Sequence, residues 1–217
     1  ADLDGDGICD AVIFINCGDD IGHDNYAYST VEIGDHCWLS ENCRYLPSVT
    51  AYEESNDVPM YYVYDYNGSD VEAAKATANY DTYGVLYNWP AVMTAGICPS
   101  GWHIPSNEEF TQLTDFLGGE GVAGGKMKEA GYDHWNPPNT GATNSSGWTG
   151  LPGAFSDENG FITIGYTSNW WSSSASASCP NPSGPCAWGR YLDYSVSNCY
   201  TQVTWKHVGS SARCVRD

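Results

Sequence analysis

Positive charge is scarce in this sequence. Lys and Arg together number 8 in 217 residues, against 27 Asp and Glu, so the formal net charge at pH 7 is −19. Proteins bind nucleic acids and anionic membrane surfaces through clustered Lys and Arg side chains. The charge balance therefore argues against both partners. It leaves two compatible explanations: a highly soluble exported surface, or carboxylates that are neutralised by bound calcium.

Long apolar runs are also lacking. No apolar stretch approaches the roughly 20 residues that a membrane-spanning helix needs, so we expect no membrane insertion. No signal peptide is visible at Ala1, and we expect a mature or trimmed chain.

Clustered catalytic or zinc-binding residues are a third absence. Zinc sites use Cys and His at short spacing, whereas the histidines here are far apart: His23, His36, His103, His134 and His207. His36 and Cys37 are neighbours, but neighbouring side chains on a strand point to opposite faces, so no thiol–base pair is expected there. No pair of carboxylates stands out for glycoside hydrolysis. We expect a protein that is not an enzyme.

Cysteines, turn residues and large aromatic residues are abundant instead. The chain has 9 Cys, 9 Trp and 16 Tyr but only 5 Phe, with 24 Gly and 11 Pro. Nine cysteines are many for a protein kept reduced in a cytosol, which favours an oxidising, extracellular location. The Gly and Pro content predicts a loop-rich fold with few long helices.

Residues 2–10 are similar to a calcium loop of the D-x-D-x-D-G type. The pattern predicts Ca²⁺ ligands at Asp2, Asp4, Asp6, Ile8 (through its carbonyl) and Asp10. Ile13 stands where an EF-hand has a bidentate Glu, so the loop is closer to the short calcium repeats of thrombospondin-type or dockerin-type linkers. Asp19, Asp20 or Asp24 could also complete the ligand shell. The alternative is a solvated acidic turn.

The most continuously apolar short run follows this loop: Ala11, Val12, Ile13, Phe14 and Ile15. Such a run predicts a strand that is buried on both faces. Two pairings stay open, because an unpaired apolar strand is prone to associate. The strand pairs with its own domain, or it adds to the sheet edge of a neighbouring subunit and so serves as an assembly strand.

Residues 98–110, CPSGWHIPSNEEF, organise the middle of the chain. Ser106 and Glu109 form a capping box, which predicts a helix start. Gly118-Gly119 predicts the helix end. Between them, four apolar residues are expected on one helical face: Phe110, Leu113, Phe116 and Leu117.

Weaker patterns predict the remaining elements. Ser69 with Glu72 predicts a second capped helix to about Ala78, and residues 124–130 predict a third. Strands or tight turns are expected over residues 26–33, 83–89, 161–165, 188–194, 201–205 and 211–215, with a long ordered loop over 136–153.

The motif at 98–110 resembles the signature of the Fibrobacter succinogenes major paralogous domain family, and the resemblance continues in order along the chain. The other matching segments are STVEIG at 29–34, Trp38, Glu41-Asn42, YGVLYNW at 83–89, His134-Trp135 with residues 139–144, LPG at 151–153, WWSS at 170–173, WGRYL at 188–192 and ARCVRD at 212–217. We therefore divide the chain into an N-terminal appendage at 1–25 and a family domain at 26–217.

The resemblance implies a secreted bacterial surface domain of α+β class. It implies a loop-rich fold similar to C-type lectins and formylglycine-generating enzymes, with small antiparallel sheets, two or three short helices and several disulfides. It implies no settled activity. Calcium-dependent lectins of that fold use Glu-Pro-Asn or Gln-Pro-Asp with Trp-Asn-Asp, and none of these triplets is present.

The cysteines suggest four pairs. Cys98 and Cys214 stand on the family motifs, and the resemblance implies that they pair. Cys37 and Cys43 both depart from the family pattern, which suggests that they pair with each other. Cys179 and Cys186 flank a Pro-rich insertion and form a local clip or, by the formylglycine-type resemblance, a redox pair. The last pair is Cys9 with Cys17, on either side of the apolar run. Cys199 is left over, as a buried thiol or an intersubunit bridge.

Two groups of residues are candidates for carbohydrate. Four tryptophans either stack on sugars or pack in the core: Trp135, Trp148, Trp170 and Trp171. Asn67 and Asn144 begin glycosylation sequons, and the serines of residues 172–178 are further candidate attachment sites.

We expect a non-catalytic, secreted surface protein that is stabilised by Ca²⁺ and disulfides. Residues 1–17 of one subunit would dock on the next, and such a head-to-tail contact propagates into a fibre or adhesive layer. The alternative is a glycan-binding module of a cell-surface or polysaccharide-degrading system. A third hypothesis is an enzyme that uses a thiol pair.

Overall fold

The computed structural model describes residues 16–179 and 184–217. The strands are β1 (Ile21–His23), β2 (Tyr26–Tyr28), β3 (Thr30–Ile33), β4 (His36–Leu39), β5 (Tyr61–Tyr62), β6 (Leu86–Tyr87), β7 (Phe155–Asp157), β8 (Gly160–Ile162), β9 (Thr167–Ser176), β10 (Cys186–Asp193), β11 (Cys199–Trp205) and β12 (Val215–Arg216). The helices are α1 (Val71–Lys75), α2 (Ala78–Tyr83), α3 (Trp89–Val92), α4 (Asn107–Phe116) and α5 (Glu120–Met127). The predicted α+β, loop-rich class with small antiparallel sheets is confirmed. The described ranges hold five helices rather than two or three.

The largest sheet is antiparallel, in the order β11-β10-β9. The free edge of β9 does not face solvent, because the Trp171 amide donates to the Ser211 carbonyl and the Ser211 amide donates to the Asn169 carbonyl. The sheet is irregular between Ala187 and Gly189. A Cβ on Gly189 would lie 2.7 Å from the Trp170 carbonyl oxygen, so only glycine fits there.

The second sheet has the order β12-β4-β3 and joins the two ends of the domain. Val215 of β12 pairs with Trp38 of β4, and Arg216 pairs with Cys37. On its other side, β12 is fixed to the loop before α4, since His103 and Val215 exchange both backbone hydrogen bonds. The predicted domain boundary between residues 25 and 26 falls in the turn between β1 and β2.

Helix α4 begins as its sequence predicts. The Ser106 hydroxyl accepts from the Glu109 amide, and the Glu109 carboxylate accepts from the Ser106 amide. Phe110, Leu113 and Leu117 are buried, but Phe116 is 66% exposed, so its predicted place on the core face is wrong. At about 100° per residue, Phe116 lies about 120° around the helix from Phe110.

The second capping box is also wrong in its details. The Asp70 side chain, not that of Ser69, accepts from the Glu72 and Ala73 amides of α1. The helix that was predicted to about Ala78 ends at Lys75, and Thr77 caps a separate helix, α2. None of the helices in the described ranges combines the length and apolar character needed to cross a bilayer.

Two apolar cores lie on opposite sides of β9. Trp171 belongs to the core that also contains Leu39, Tyr87 and Ile104. Trp170 belongs to the other core, beneath α4 and α5, whose larger members include Trp38, Phe110, Met127, Trp135, Trp148 and Leu192. Because both faces of β9 are covered, its first six residues are all buried.

The loop after α5 is ordered around a buried lysine. The Lys128 ammonium donates to the carbonyls of Thr140, Asp193 and Val196 at 3.1, 2.9 and 2.8 Å. It also lies 5.4 Å from the centre of the Trp135 ring. All three donors of the ammonium are therefore satisfied without a carboxylate, and the loop that was predicted over 136–153 is held at a fixed point.

Helix α5 lies unusually close to the segment before β11, and this contact supports a prediction. A Cβ on Gly124 would be 2.1 Å from the Asn198 carbonyl oxygen, whereas one on Gly121 of the same helix meets nothing within 4 Å. Gly124→Ala should lower the free energy of unfolding by about 1–3 kcal/mol, the usual cost of overpacking. Gly121→Ala should leave it unchanged or raise it slightly, because alanine favours helix. Urea unfolding of both variants is the measurement. Equal urea midpoints for the two variants would contradict the close approach of Gly124 to Asn198.

Candidate functional site

A polar cleft of about 270 Å³ lies beside the loop that follows β4. It is lined by Ser40, Glu41, Asn42, Arg44, Thr82, Tyr83, His134, Thr149, Leu151 and Arg213. Most of the segments that bear these residues stood out in the sequence, although they are spread over more than half of the chain. The cleft is the place where these segments meet.

Asn42 is the centre of the cleft floor. Its side-chain oxygen accepts from the Trp170 indole at 2.8 Å and from the Arg213 guanidinium at 2.9 Å. Its side-chain nitrogen donates to the Tyr83 carbonyl at 3.0 Å and to the Ser211 hydroxyl at 3.3 Å. One buried amide thereby connects the loop after β4 with α2, β9 and the C-terminal segment.

Arg213 is a buried cation that is held without a carboxylate. Its guanidinium lies 3.8 Å from the centre of the Trp148 ring and donates to the carbonyls of Trp148 and Thr149. Within the described ranges, no carboxylate lies within 4.0 Å of it. Burial lowers the pKa of Arg213 to about 9, which still leaves the side chain charged at pH 7. Carbonyl dipoles and aromatic rings take the place of a counter-ion.

The rim of the cleft carries one charge of each sign. Arg44 donates to the carbonyls of Tyr80 and Asp81 at 2.7 and 2.8 Å. Glu41 lies 3.9 Å from Arg44 and accepts from the Tyr26 hydroxyl. The rim therefore ties the β1–β2 hairpin to α2, and its charged groups are already partnered by the chain itself.

His134 stands at the mouth of the cleft and is oriented by an acid. Its Nδ1 lies 2.9 Å from both carboxylate oxygens of Glu129, and the Tyr83 ring packs edge-on against it at 5.9 Å. No hydrogen bond joins this imidazole to a hydroxyl or thiol elsewhere in the described residues. The Glu129 carboxylate therefore fixes the orientation of the His134 ring.

Loss of the Asn42 amide should be costly. Asn42→Ala leaves the buried Trp170 indole N–H and one Arg213 donor without an acceptor, and each such group costs about 1–3 kcal/mol. We expect a loss of about 3 kcal/mol in the free energy of unfolding, measured by urea denaturation. Asn67→Ala, at an exposed position, is the matched control and should be neutral. A loss below about 1 kcal/mol for Asn42→Ala would contradict the central role of this amide in the cleft floor.

The segments that meet at the cleft are those of a known family. The sequence profile of the family described as Fibrobacter succinogenes major domain matches residues 31–216. The chain belongs to this family. No curated protein and no solved structure matches the chain. The likeness to C-type lectins and formylglycine-generating enzymes stays an expectation from the resemblance.

This chain is cross-linked by disulfides whose pattern differs in part from the predicted one. Cys98 is bonded to Cys214, and Cys179 is bonded to Cys186, as predicted. The other two predicted pairs are wrong, because Cys17 is bonded to Cys37. That bond removes Cys37 from any pairing with Cys43 or any thiol chemistry with His36. It also removes Cys17 from a pairing with Cys9, which lies outside the described residues.

Two further cysteines are free thiols in the core. Cys43 and Cys199 are buried, and burial raises the pKa of each thiol to about 12. Neither is therefore a nucleophile at neutral pH, because the thiolate is the reactive form. Burial of Cys199 fits its interpretation as an inert thiol and leaves the intersubunit bridge without support. The Sγ of Cys43 lies 3.4 Å from the Sγ of Cys214.

The prediction that four tryptophans stack on sugars is wrong. Trp135, Trp148, Trp170 and Trp171 are at most 1% exposed. The indole nitrogens of three of them also donate within the domain: Trp135 to Gly150, Trp170 to Asn42 and Trp171 to Tyr87. A ring that is covered on both faces has no surface on which a sugar can stack, so these residues belong to the core.

The two sequons differ in accessibility. Asn67 is exposed and stays a candidate for glycosylation. The Asn144 side chain instead holds its loop, since it accepts from the Thr149 amide at 2.9 Å and donates to the Thr149 hydroxyl at 3.0 Å. Attaching a glycan to that nitrogen would compete with this arrangement, so the structure disfavours the predicted site at Asn144.

The predicted calcium loop and assembly strand lie outside the described residues. They comprise the ligands Asp2, Asp4, Asp6, Ile8 and Asp10 and the strand Ala11, Val12, Ile13, Phe14 and Ile15. The structure does describe the point at which they join the domain. Asn16 and Cys17 line a shallow polar cavity with Glu32, Asp35, His36, Cys37, Arg216 and Asp217. The appendage therefore joins the domain beside the last residues of the sequence.

Three buried cations stabilise the scaffold and were not predicted from the sequence. Lys128, Arg190 and Arg213 are at most 1% exposed, in a chain with only 8 Lys and Arg. The Arg190 guanidinium donates to the Asn107 side chain and carbonyl and to the Thr111 hydroxyl, so it fixes α4 to β10. The scarcity of cations was the available signal, since with Arg44 four of the eight are buried.

Proposed function

We propose that this protein is a non-catalytic extracellular structural subunit. It is stabilised by disulfides and Ca²⁺, and it assembles head to tail into a fibre or adhesive layer at a bacterial surface. Membership of the Fibrobacter major domain family supports the surface association. The three disulfides and the net charge of −19 support a soluble exported domain.

The Cys17–Cys37 disulfide is the observation that carries this proposal. It bonds the first described residues of the chain to β4, the central strand of the β12-β4-β3 sheet. A covalent anchor at this position suits a segment that docks on a neighbouring subunit, because the force on a polymer acts where the segment joins its own domain.

The C-terminal end of the domain is anchored to the same sheet. Cys214 stands directly before β12 and is bonded to Cys98, 116 residues earlier. Force that enters through residue 17 therefore passes into β4 and across to β12, between two covalent bonds. This arrangement suits a subunit that is pulled at its N-terminal segment.

Calcium is assigned to residues 2–10 on the basis of their carboxylate pattern. The subunits carry a net charge of −19 each, so their close approach is opposed by repulsion. Divalent cations bound at an acidic segment would reduce that repulsion where one subunit meets the next. The glycan-binding alternative has lost its four tryptophans to the core, and no other described feature favours it.

Electron microscopy of the full chain tests the proposal. We expect filaments or sheets in millimolar CaCl₂ that dissociate after chelation with EGTA. A variant that lacks residues 1–15 but keeps Cys17 should retain the near-ultraviolet circular dichroism of the folded domain and stay monomeric. Assembly by this truncated variant, or monomeric full-length protein in both conditions, would overturn the proposal.

A charge-matched pair of variants separates calcium binding from general acidity. Asp2→Asn, Asp4→Asn and Asp6→Asn together remove three charges from the calcium loop. Asp57→Asn, Asp115→Asn and Asp133→Asn remove three charges at exposed positions elsewhere. We expect only the first triple variant to lose calcium-dependent assembly. If both assemble like the parent, calcium at residues 2–10 is not the link between subunits.

A further inference from the structure

A histidine and two carboxylates from distant parts of the sequence converge beside the C-terminal strand. They are His36 at the start of β4, Glu109 in the first turn of α4 and Asp217 after β12. One potential ligand atom from each lies within 4.8 Å of the other two. His36 Nε2 lies 3.8 Å from Asp217 Oδ1. Zinc–ligand bonds of about 2.0–2.1 Å put tetrahedral ligand atoms about 3.3 Å apart, so small side-chain movements would close the site.

The fold brings these groups together through two fixed contacts. Arg216 pairs with Cys37, so Asp217, the residue directly after β12, comes near His36. His103 pairs with Val215 through two backbone hydrogen bonds, which fixes the loop before α4 beside the same strand. The capping box then places the Glu109 carboxylate at the start of α4. The sequence alone gave no sign of this convergence, because the three residues are far apart in the chain.

The Glu109 carboxylate is oriented before any ligand binds. One oxygen lies 2.6 Å from His103 Nε2, and the other accepts from the Ser106 amide at 2.6 Å. The side chains of Glu109 and His36 are only 16% and 19% exposed. Outer residues that hold a metal-binding carboxylate in this way are a regular feature of metal sites.

We propose that His36, Glu109 and Asp217 bind a transition-metal dication of the zinc class, with His103 and Ser106 as positioning residues for Glu109. An imidazole with two carboxylates suits Zn²⁺, whereas Ca²⁺ prefers a shell made of oxygen alone. Three protein ligands leave a position for water. The ion would tie β4, β12 and α4 together beside the Cys17–Cys37 disulfide. This site is separate from the calcium loop and does not depend on the proposed assembly.

Calorimetric titration of the untagged full chain with ZnCl₂, in excess CaCl₂, tests this site. We expect saturable 1:1 binding that is at least tenfold weaker in His36→Ala and Asp217→Asn. The Asp217 side chain is 88% exposed, so its amide variant should fold normally even if His36→Ala does not. His103→Ala should weaken binding about 10–100-fold while leaving the 1:1 stoichiometry, as expected for a positioning residue.

His207→Ala is the matched control. His207 also stands beside two acids, Glu54 and Glu158, but both of those are exposed. We expect this variant to bind Zn²⁺ like the parent, and Zn²⁺ to raise the melting temperature of both but not that of Asp217→Asn. Absence of saturable binding in the parent would overturn the proposal. So would unchanged binding in Asp217→Asn, or loss of binding in His207→Ala alone.

Discussion

Raising the pH above about 10.4 should lower the stability of this protein steeply, because three of its tyrosines are buried. Tyr28, Tyr62 and Tyr87 are at most 1% exposed. Burial raises the pKa of all three hydroxyls far above the ordinary value of 10.0. The unfolded chain therefore releases these protons above pH 10 while the folded chain keeps them. Stability falls as the pH rises through that range, by about 1.4 kcal/mol per pH unit for each group.

Two buried cations act in the opposite direction but only partly. Burial lowers the pKa of Lys128 to about 8 and that of Arg213 to about 9. Because of Lys128, stability rises with pH between pH 8 and the unfolded pKa of about 10.4, and this gain stays constant at higher pH. Above pH 10, Arg213 offsets the loss of stability per pH unit that one buried tyrosine causes. The net loss above pH 10.4 is therefore about 3 kcal/mol per pH unit. This loss first cancels the stability that the two cations add at lower pH and then reduces the remaining stability, which is typically about 5–15 kcal/mol in total.

Tyrosinate absorbance near 295 nm, followed together with near-ultraviolet circular dichroism after a pH jump, measures this effect. The tyrosinate signal of the buried tyrosines should appear in a slow phase, at the rate at which tertiary structure is lost. Tyr87→Phe should reduce the pH dependence of stability by about 1.4 kcal/mol per pH unit. Tyr132→Phe, at a side chain that is 62% exposed, should leave that dependence unchanged. Ionisation of all tyrosines near pH 10 with tertiary structure intact would contradict the prediction.

Local sequence signals predicted local structure well. The start of α4 follows from Ser106 and Glu109, three residues apart, whose side chains satisfy each other's backbone amides. Helix α1 was misassigned by one residue because Ser69 and Asp70 are both good caps, and only Asp70 is used. Such signals work because the partners are neighbours in the chain, and they are weak where two neighbours compete.

Features that depend on distant segments could not be predicted in this way. Cys37 was paired with Cys43 because they are close in sequence, but the pairing with Cys17 depends on where the N-terminal segment crosses β4. Trp170 and Trp171 were candidates for sugar stacking because nothing local shows that both faces of β9 are covered. The cluster of His36, Glu109 and Asp217 exists only because β12 lies between β4 and the loop before α4.

The second large effect is a loss of stability that involves Cys43. We expect it in full only when Cys43 and Cys98 are changed together. The Cys98–Cys214 disulfide spans 116 residues, and the chain-entropy model gives such a cross-link about 4–5 kcal/mol. Cys43 Sγ lies 3.4 Å from Cys214 Sγ, at a sequence separation of 171. When Cys98→Ser is refolded in an oxidising glutathione buffer, both thiols are accessible before the core closes. Cys43 should therefore become bonded to Cys214, which closes a loop of similar entropic value.

Cys98→Ser should consequently lose much less than about 4 kcal/mol, whereas the double variant Cys43→Ala/Cys98→Ser should lose about 4–5 kcal/mol. Cys43→Ala alone is the control for the volume of the deleted thiol. Peptide mapping of non-reduced protein by mass spectrometry should find Cys43 bonded to Cys214 in Cys98→Ser and both residues unlinked after prior reduction. If Cys43 stays a free thiol and the single variant is as unstable as the double variant, the two sulfurs are not close enough to exchange partners. If the predicted difference is found, the buried thiol is a reserve for the disulfide that anchors β12, the last strand of the domain.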